Sequence, residues 1–269
     1  MPQRRTALIT GALGGIGVAI ARALGEVGCD LMLNDIGDTD AHARRCLDLA
    51  AELGVKVCFN GADLSDRTQV EGLAAATVDT LGPIDILINN AVKRHYHSIT
   101  EFPLAAWDYA VRVNLTTPFE LCRLTLAGMK ARGWGRIVNL SSLMGLAGKT
   151  GRVDYIATKT ALIGLTRAVA AETLEYPNVT CNAICPGSVL TPFIKTRIQR
   201  LADERGIGFD DMAKLYRQDL NQIADFITPE QIASAIAYLC SDSARSITGI
   251  SVPIDGGVSA TYLQGPTSL

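Results

Sequence analysis

The chain has 269 residues, a formal net charge of −2 and 48% hydrophobic residues. That is enough apolar material for a sizeable core, with no charge excess to draw it to nucleic acid or an anionic membrane. No apolar run reaches the ~18 to 20 residues that span a bilayer.

Residues 1–5, Met-Pro-Gln-Arg-Arg, run straight into the strand-like stretch 6–10, too short an apolar segment for a signal peptide. Short β-branched runs at 6–10, 30–34, 56–60, 84–89, 136–140, 179–185 and 250–254 read as strands. Helix-period segments lie near 16–26, 40–53, 66–80, 105–131, 152–175 and 229–241. This alternation predicts βαβ units, a parallel sheet and helices on both faces. The rhythm breaks from Thr191 to Phe226. There Ile194, Ile198 and Leu201, then Met212, Leu215, Tyr216 and Leu220, fall at helical spacing and predict two amphipathic helices. Following a strand's carboxyl end, they read as a substrate lid, the alternative being a structural or subunit-contact excursion.

Seven cysteines, an odd number without Cys-x2-Cys clustering, argue against a disulfide framework or a structural zinc. Reduced, buried thiols in a cytoplasmic protein are the expectation. Cys181 and Cys185 share one face of a strand, which leaves a metal or redox pair as the alternative. His95 and His97 can chelate or merely line a surface, with no acidic third ligand nearby in sequence.

Gly11, Gly15 and Gly17 stand between the first strand and the first helix, where glycine lets backbone N–H groups and a helix N-terminus approach a pyrophosphate. Asp35 closes the second strand, twenty residues after Gly15, where an acid accepts from the adenosine ribose hydroxyls. A carboxylate there repels a 2′-phosphate and neither Ala12 nor Leu13 supplies a cation, so NAD(H) is expected. Tyr155 and Lys159 are four apart, on one helix face. An ammonium beside a phenol stabilises the phenolate and makes it a general acid/base, although taken alone the pair could be ordinary helix surface.

In order and spacing these residues resemble the short-chain dehydrogenase/reductase family along nearly the whole chain. Thr10-Gly11-x3-Gly15-x-Gly17 matches its cofactor turn, with Leu13 and Ile16 inside it. Asp63 and Leu64 match the adenine neighbourhood, and Asn89-Asn90-Ala91 the close of the fourth strand. Asn114, Ser142, Tyr155 and Lys159 match the catalytic positions. Pro186, Gly187, Val189 and Thr191 match the nicotinamide loop, and Asp255-Gly256-Gly257 the terminal strand. Val92 departs from the family's usual glycine, so no contact is carried over there. The resemblance implies one Rossmann-type doubly wound domain over 1–269 with a seven-stranded parallel sheet and a helical lid at about 191–226. It implies NAD(H), no metal and a homotetramer built through the long helices and the last helix and strand. It also implies roles: Tyr155 as acid/base, Ser142 on the substrate oxygen, Lys159 on the ribose and beside Tyr155, and Asn114 holding a water. Ser141 is the adjacent serine, and the thirteen-residue offset from Tyr155 selects Ser142.

Within the family, residues 181–192 and 226–231 are similar to bacterial D-3-hydroxybutyrate dehydrogenases. By position, that subgroup's carboxylate-gripping Gln, His, Lys and Gln fall on Arg94, Met144, Arg152 and Thr196, so only the cation at 152 is kept in kind. Arg94 with Lys93, Lys149, Arg152 and Lys195 still surround the expected pocket mouth. A small anionic hydroxy-substrate, such as a hydroxy acid or sugar acid, is therefore expected, against the alternative of solvated loop cations. A 3-ketoacyl-carrier reductase and a non-catalytic NAD-binding redox sensor are the competing functions.

Overall fold

A computed structural model of the chain describes residues 4–218 and 225–260; Leu220 and the expected lid residues 219–224 lie outside the described residues. The strands are β1 (Thr6–Thr10), β2 (Asp30–Asn34), β3 (Val57–Asn60), β4 (Ile84–Asn89), β5 (Gly135–Leu140), β6 (Val179–Pro186) and β7 (Ser251–Ile254). They form one parallel sheet in the order β3-β2-β1-β4-β5-β6-β7. Between them run α1 (Gly15–Glu26), α2 (Thr39–Leu53), α3 (Arg67–Leu81), α4 (Leu104–Val111), α5 (Thr117–Arg132), α6 (Val153–Ala171), α7 (Pro192–Arg205), α8 (Phe209–Gln218) and α9 (Pro229–Cys240).

Both faces of the sheet are covered, and the two-residue period of a strand divides the core in two. Ala7, Ile9, Leu31 and Leu33 face α1, α2 and α9, packing on Ile20, Leu24, Leu49, Ile232 and Ile236. Leu8, Met32, Leu87, Ile137 and Cys181 face α3, α5 and α6, packing on Val70, Leu73, Leu121, Met129 and Val169. The expected seven-stranded architecture is thus observed. Ile198 and Ala202 of α7 and Met212 and Ala213 of α8 close a third, smaller core, so the two lid helices stand on each other.

One expected helix is not continuous. The segment 105–131 divides into α4, a π-helical turn at Arg112–Thr116, and α5. The Thr117 N–H reaches back five residues to the Arg112 carbonyl. Pro118, at the start of α5, has no N–H to give the Asn114 carbonyl the bond an α-helix would supply. The helix expected at 152–175 ends at Ala171, and the Thr173 hydroxyl donates to the Ala170 carbonyl just beyond it.

The sheet order reverses between β1 and β4, so the connections leaving these neighbours diverge and open a crevice at their carboxyl ends. Thr10 locks that point. Its hydroxyl accepts the Asn90 N–H at 3.0 Å and the Ala91 N–H at 3.1 Å, and donates to the Ile88 carbonyl at 3.3 Å. Asn90 Nδ2 donates to the Thr10 and Gly11 carbonyls at 3.0 and 2.8 Å. Thr10→Val keeps the shape and strands two N–H groups, so chemical denaturation should show a loss of about 2 to 4 kcal/mol.

Candidate active site

The crevice holds a cleft of about 760 Å³ that runs from the ends of β1 and β2 to the lid helices. Every residue assigned to the cofactor from sequence lines it: Gly11, Leu13, Gly15, Ile16 and Gly17; Asp35, Asp63 and Leu64; Asn90 and Ala91; Tyr155 and Lys159; Pro186, Gly187, Val189 and Thr191.

Two glycines are required by geometry. Gly11 sits at φ +59°, and a Cβ there would come within 2.8 Å of the Ala91 Cα. A Cβ on Gly17 would lie 2.3 Å from the Gly11 carbonyl oxygen, so the turn closes this tightly only around glycine. Gly14 caps α1 without a side-chain bond, leaving the first N–H groups of the helix facing the cleft unpaired by any cap. That cradle fits a pyrophosphate.

At the adenosine end, Asp35 Oδ2 accepts the Leu13 N–H and Oδ1 the Ile36 N–H, each at 2.9 Å. Arg45 of α2 lines the same end and donates to the Leu13 carbonyl at 3.1 Å. No cation stands at Ala12 or Leu13; Arg45 lies ten residues past Asp35 in sequence, and only the path of α2 brings it back to this end.

Tyr155 and Lys159 stand one turn apart on α6, the Lys159 Nζ 5.8 Å from the centre of the Tyr155 ring. Lys159 is 2% exposed and donates to the Leu140 carbonyl at the end of β5. Burial, reinforced by the charge of Arg94, pushes its pKa down to about 7. Ser141 is spent on structure, its hydroxyl donating to the Lys159 carbonyl at 2.8 Å. The Ser142 hydroxyl accepts the Met144 N–H at 3.1 Å, which leaves its proton for a ligand in the cleft.

Asn114 lies apart from the other three residues matched to the catalytic positions. It does not line the cleft, and its amide is committed: Oδ1 accepts the Lys93 N–H, while Nδ2 donates to the Lys93 carbonyl and to Thr158 Oγ1.

At the far end Arg94, Met144 and Arg152 line the cleft, joined by Tyr216, expected only as a residue of an amphipathic helix, and by Tyr96, Phe193 and Arg197, which no spacing in the sequence marks. Lys93 lines it too and lies 5.5 Å from the Tyr109 ring. Lys149 does not line the cleft, and Lys195 and Thr196 lie along a separate surface depression of α7. The cation that α7 does contribute is Arg197, two residues on from Lys195; only the orientation of α7 decides between them.

His95 and His97 do not act together: His95 Nδ1 bonds Asp154 Oδ2 at 2.9 Å, and His97 packs edge-on against Phe102. Among the described residues no three His, Cys, Asp or Glu side chains converge as metal ligands. All seven cysteines are free thiols. Among the described residues no helix is long and apolar enough to cross a membrane.

Residues 11–259 match the family model described as enoyl-(acyl carrier protein) reductase. The chain is 36% identical to a D-beta-hydroxybutyrate dehydrogenase of Cupriavidus necator, over 96% of this chain and 98% of that one. It is also 36% identical to a 2-keto-3-deoxy-L-fuconate dehydrogenase of Xanthomonas campestris, over 95% and 80% of the two chains. Among solved structures, an L-sorbose reductase of Gluconobacter frateurii with NADPH and L-sorbose superposes with a TM-score of 0.90 at 27% identity, covering 97% of this chain and 98% of that one.

The depressed lysine has a consequence for stability. Between pH 7 and 10.5 the unfolded chain carries the Lys159 proton and the folded one does not, so stability from this group rises with pH across that window. Cofactor-free Lys159→Met should lose a slope of up to about 1.4 kcal/mol per pH unit there and be the more stable protein below pH 7. Urea unfolding across pH 6 to 9 reads the difference; parallel curves for the two proteins would contradict it.

Proposed function

The chain belongs to the short-chain dehydrogenase/reductase family and is an oxidoreductase that interconverts a secondary alcohol and its ketone with a nicotinamide cofactor, and from that premise we propose that it uses NAD(H) on a small, polar, anionic hydroxy-substrate. The observation that carries this reading is one cleft in which Ser142, Tyr155 and Lys159 stand between an uncapped helix N-terminus with Asp35 at one end and Arg94 and Arg152 at the other.

The bound cofactor supplies the hydride acceptor in oxidation and the donor in reduction. Tyr155 takes the alcohol proton and returns it in the reverse direction. Ser142, fixed by the Met144 N–H, donates to the substrate oxygen and supports charge developing there. Lys159 would hold the nicotinamide ribose of a bound cofactor and, when protonated, favours the Tyr155 phenolate. Asn114 positions: its amide pins Lys93 of the loop after β4 to Thr158 of α6.

Asp35 supports NAD(H), since a carboxylate at the end of β2 would repel a 2′-phosphate. Arg45, which lines the same end of the cleft, favours the NADPH-linked, 3-ketoacyl-carrier-type alternative. The L-sorbose reductase is itself described with NADPH. Intact Ser142, Tyr155 and Lys159 weigh against a redox sensor without turnover. The protein is proposed to be cytoplasmic and homotetrameric; exposed Phe119 on α5, Leu174 beyond α6 and Tyr238 on α9 offer apolar surface for subunit contacts.

Tyr155→Phe should abolish turnover, followed at 340 nm, while NADH binding by fluorescence titration stays close to wild type; retention of more than a few per cent of kcat would remove Tyr155 from the proton-transfer role. Asp35→Ser should move kcat/KM from NAD⁺ toward NADP⁺ by roughly tenfold to a hundredfold, the repelling carboxylate being gone and Arg45 lining the same end of the cleft. A wild-type enzyme that already prefers NADP⁺ would reverse the cofactor assignment.

A further inference from the structure

We propose that the substrate end of the cleft is a dianion subsite, in which Arg94, Arg152 and Arg197 grip the head of a short secondary alcohol that carries two negative charges there, as a phosphonate, a phosphate monoester or a pair of carboxylates does. The proposal rests on the dehydrogenase reading above and narrows its substrate class.

The three arginines come from separate elements: the loop after β4, the N-cap of α6, and α7. Two of them meet at Tyr96, and the charge of the third, Arg94, also acts on its phenol. The Arg152 guanidinium lies over its ring at 3.5 Å from the centre. The Arg197 guanidinium is 5.8 Å from the same ring, with Nη1 donating to the phenol oxygen at 3.4 Å. Arg94 stands against the neighbouring Phe193 ring at 5.5 Å. Flat rings under guanidinium groups hold their planes and leave the N–H edges for an oxyanion.

What these arginines lack is a counter-charge. Arg112, Arg200 and Arg217 pair with Glu120, Glu204 and Asp225. Arg94, Arg152 and Arg197 pair with no carboxylate among the described residues. Arg152 Nη1 and Arg197 Nε are buried without a hydrogen-bond partner. Buried unpaired donors on cations are costly unless a ligand meets them. The only acids among the lining residues are Asp35 and Asp63, both at the adenosine end. Asp154, fully buried near the start of α6, is already engaged: Oδ2 accepts the His95 main-chain N–H and bonds Nδ1, and Oδ1 accepts the Tyr155 N–H.

The phenol reports the resulting field. Burial pushes the Tyr96 pKa up, yet the charges of Arg152 and Arg94 and the hydrogen bonds from Arg197 and Arg152 leave it below its usual value. One negative charge would leave three converging guanidinium groups with an excess of two positive charges. Two charges come closer to balance, and a head with several oxygens engages more of the free N–H edges. Arg152 precedes Tyr155 by three residues, about 5 Å along α6, so the charged head lies close to the reacting hydroxyl.

The test compares heads of one shape and different charge. NAD⁺ reduction is followed with 2-hydroxypropylphosphonate, doubly charged at the assay pH, and 2-hydroxypropanesulfonate, singly charged. A four-carbon hydroxy dicarboxylate, 3-hydroxybutyrate and 2-butanol complete the panel. The proposal expects kcat/KM for the phosphonate or the dicarboxylate to exceed every singly charged or neutral alcohol by roughly tenfold or more. Which of the two leads identifies the head. Arg197→Met and Arg152→Met should each bring the phosphonate-to-sulfonate ratio toward one. Calorimetric titration of methylphosphonate into the NADH-loaded protein should show binding that either variant weakens by roughly tenfold. Equal or better use of the singly charged alcohols or of 2-butanol overturns the subsite. If no alcohol is oxidised, the dehydrogenase reading fails, and the methylphosphonate titration still decides the subsite, absence of binding overturning it.

Discussion

The structure turns on keeping one amine dry. Lys159 is buried at the carboxyl end of β5, and the groups around it are arranged by that burial. Its Nζ is held by the Leu140 carbonyl, and its own carbonyl is held by the Ser141 hydroxyl. The same corner admits no side chain at Gly145, where a Cβ would lie 2.6 Å from Ser141 Oγ and 2.9 Å from the Lys159 carbonyl oxygen. The strand end that carries Ser142 and the helix that carries Tyr155 are thereby fixed against each other through Lys159. The cost is electrostatic: an amine with a pKa near 7 is poised to change charge where most lysines do not. An unsupported buried amine would be a defect; one placed a turn from a phenol in the cleft suits the proton transfer proposed for Tyr155.

The cleft is polarised along its length. Asp35 and Asp63 stand at one end, the free N–H groups of α1 toward the middle, and Arg94, Arg152 and Arg197 at the other end. A cofactor rich in hydroxyls and phosphates fits the first two regions, and an anionic alcohol the third. The topological reversal at β1 and β4 makes this possible, because loops from opposite sides of the sheet supply the two ends. Thr10 and Asn90 hold the two strand ends together, so the cradle and the substrate loop share one anchor.

The parallel sheet was legible because its strands are continuous apolar runs, as in 84–89 and 136–140, and helix-period segments separate them. That Ser142, Tyr155 and Lys159 share one cleft was legible because their spacing is local: Tyr155 and Lys159 need only one helix turn, and Ser142 only the end of a strand. The π turn was hidden, since the stretch 105–131 keeps helical periodicity throughout and only Pro118 hints that a backbone bond is missing. The bonds of the Asn114 amide were hidden, because their partner Lys93 is distant in sequence and meets it only in the fold. Arg45 and Arg197 were hidden for the same reason: each has a cationic neighbour, Arg44 and Lys195, and helix orientation alone decides which enters the cleft. Local spacing can be read from a chain, whereas convergence of separate elements has to be seen.

Deuterium tracing tests the central claim most directly. NADH labelled at the nicotinamide C4 on each face in turn is incubated with 2-oxopropylphosphonate, a panel of oxo acids and 2-butanone, and the products are analysed by mass spectrometry. The account predicts that, for one face, one deuterium appears on the carbinol carbon of the favoured product with the wild-type protein, and that Tyr155→Phe yields no labelled product above a few per cent. Absence of label from every ketone while NADH binds, or undiminished labelling by Tyr155→Phe, would contradict it.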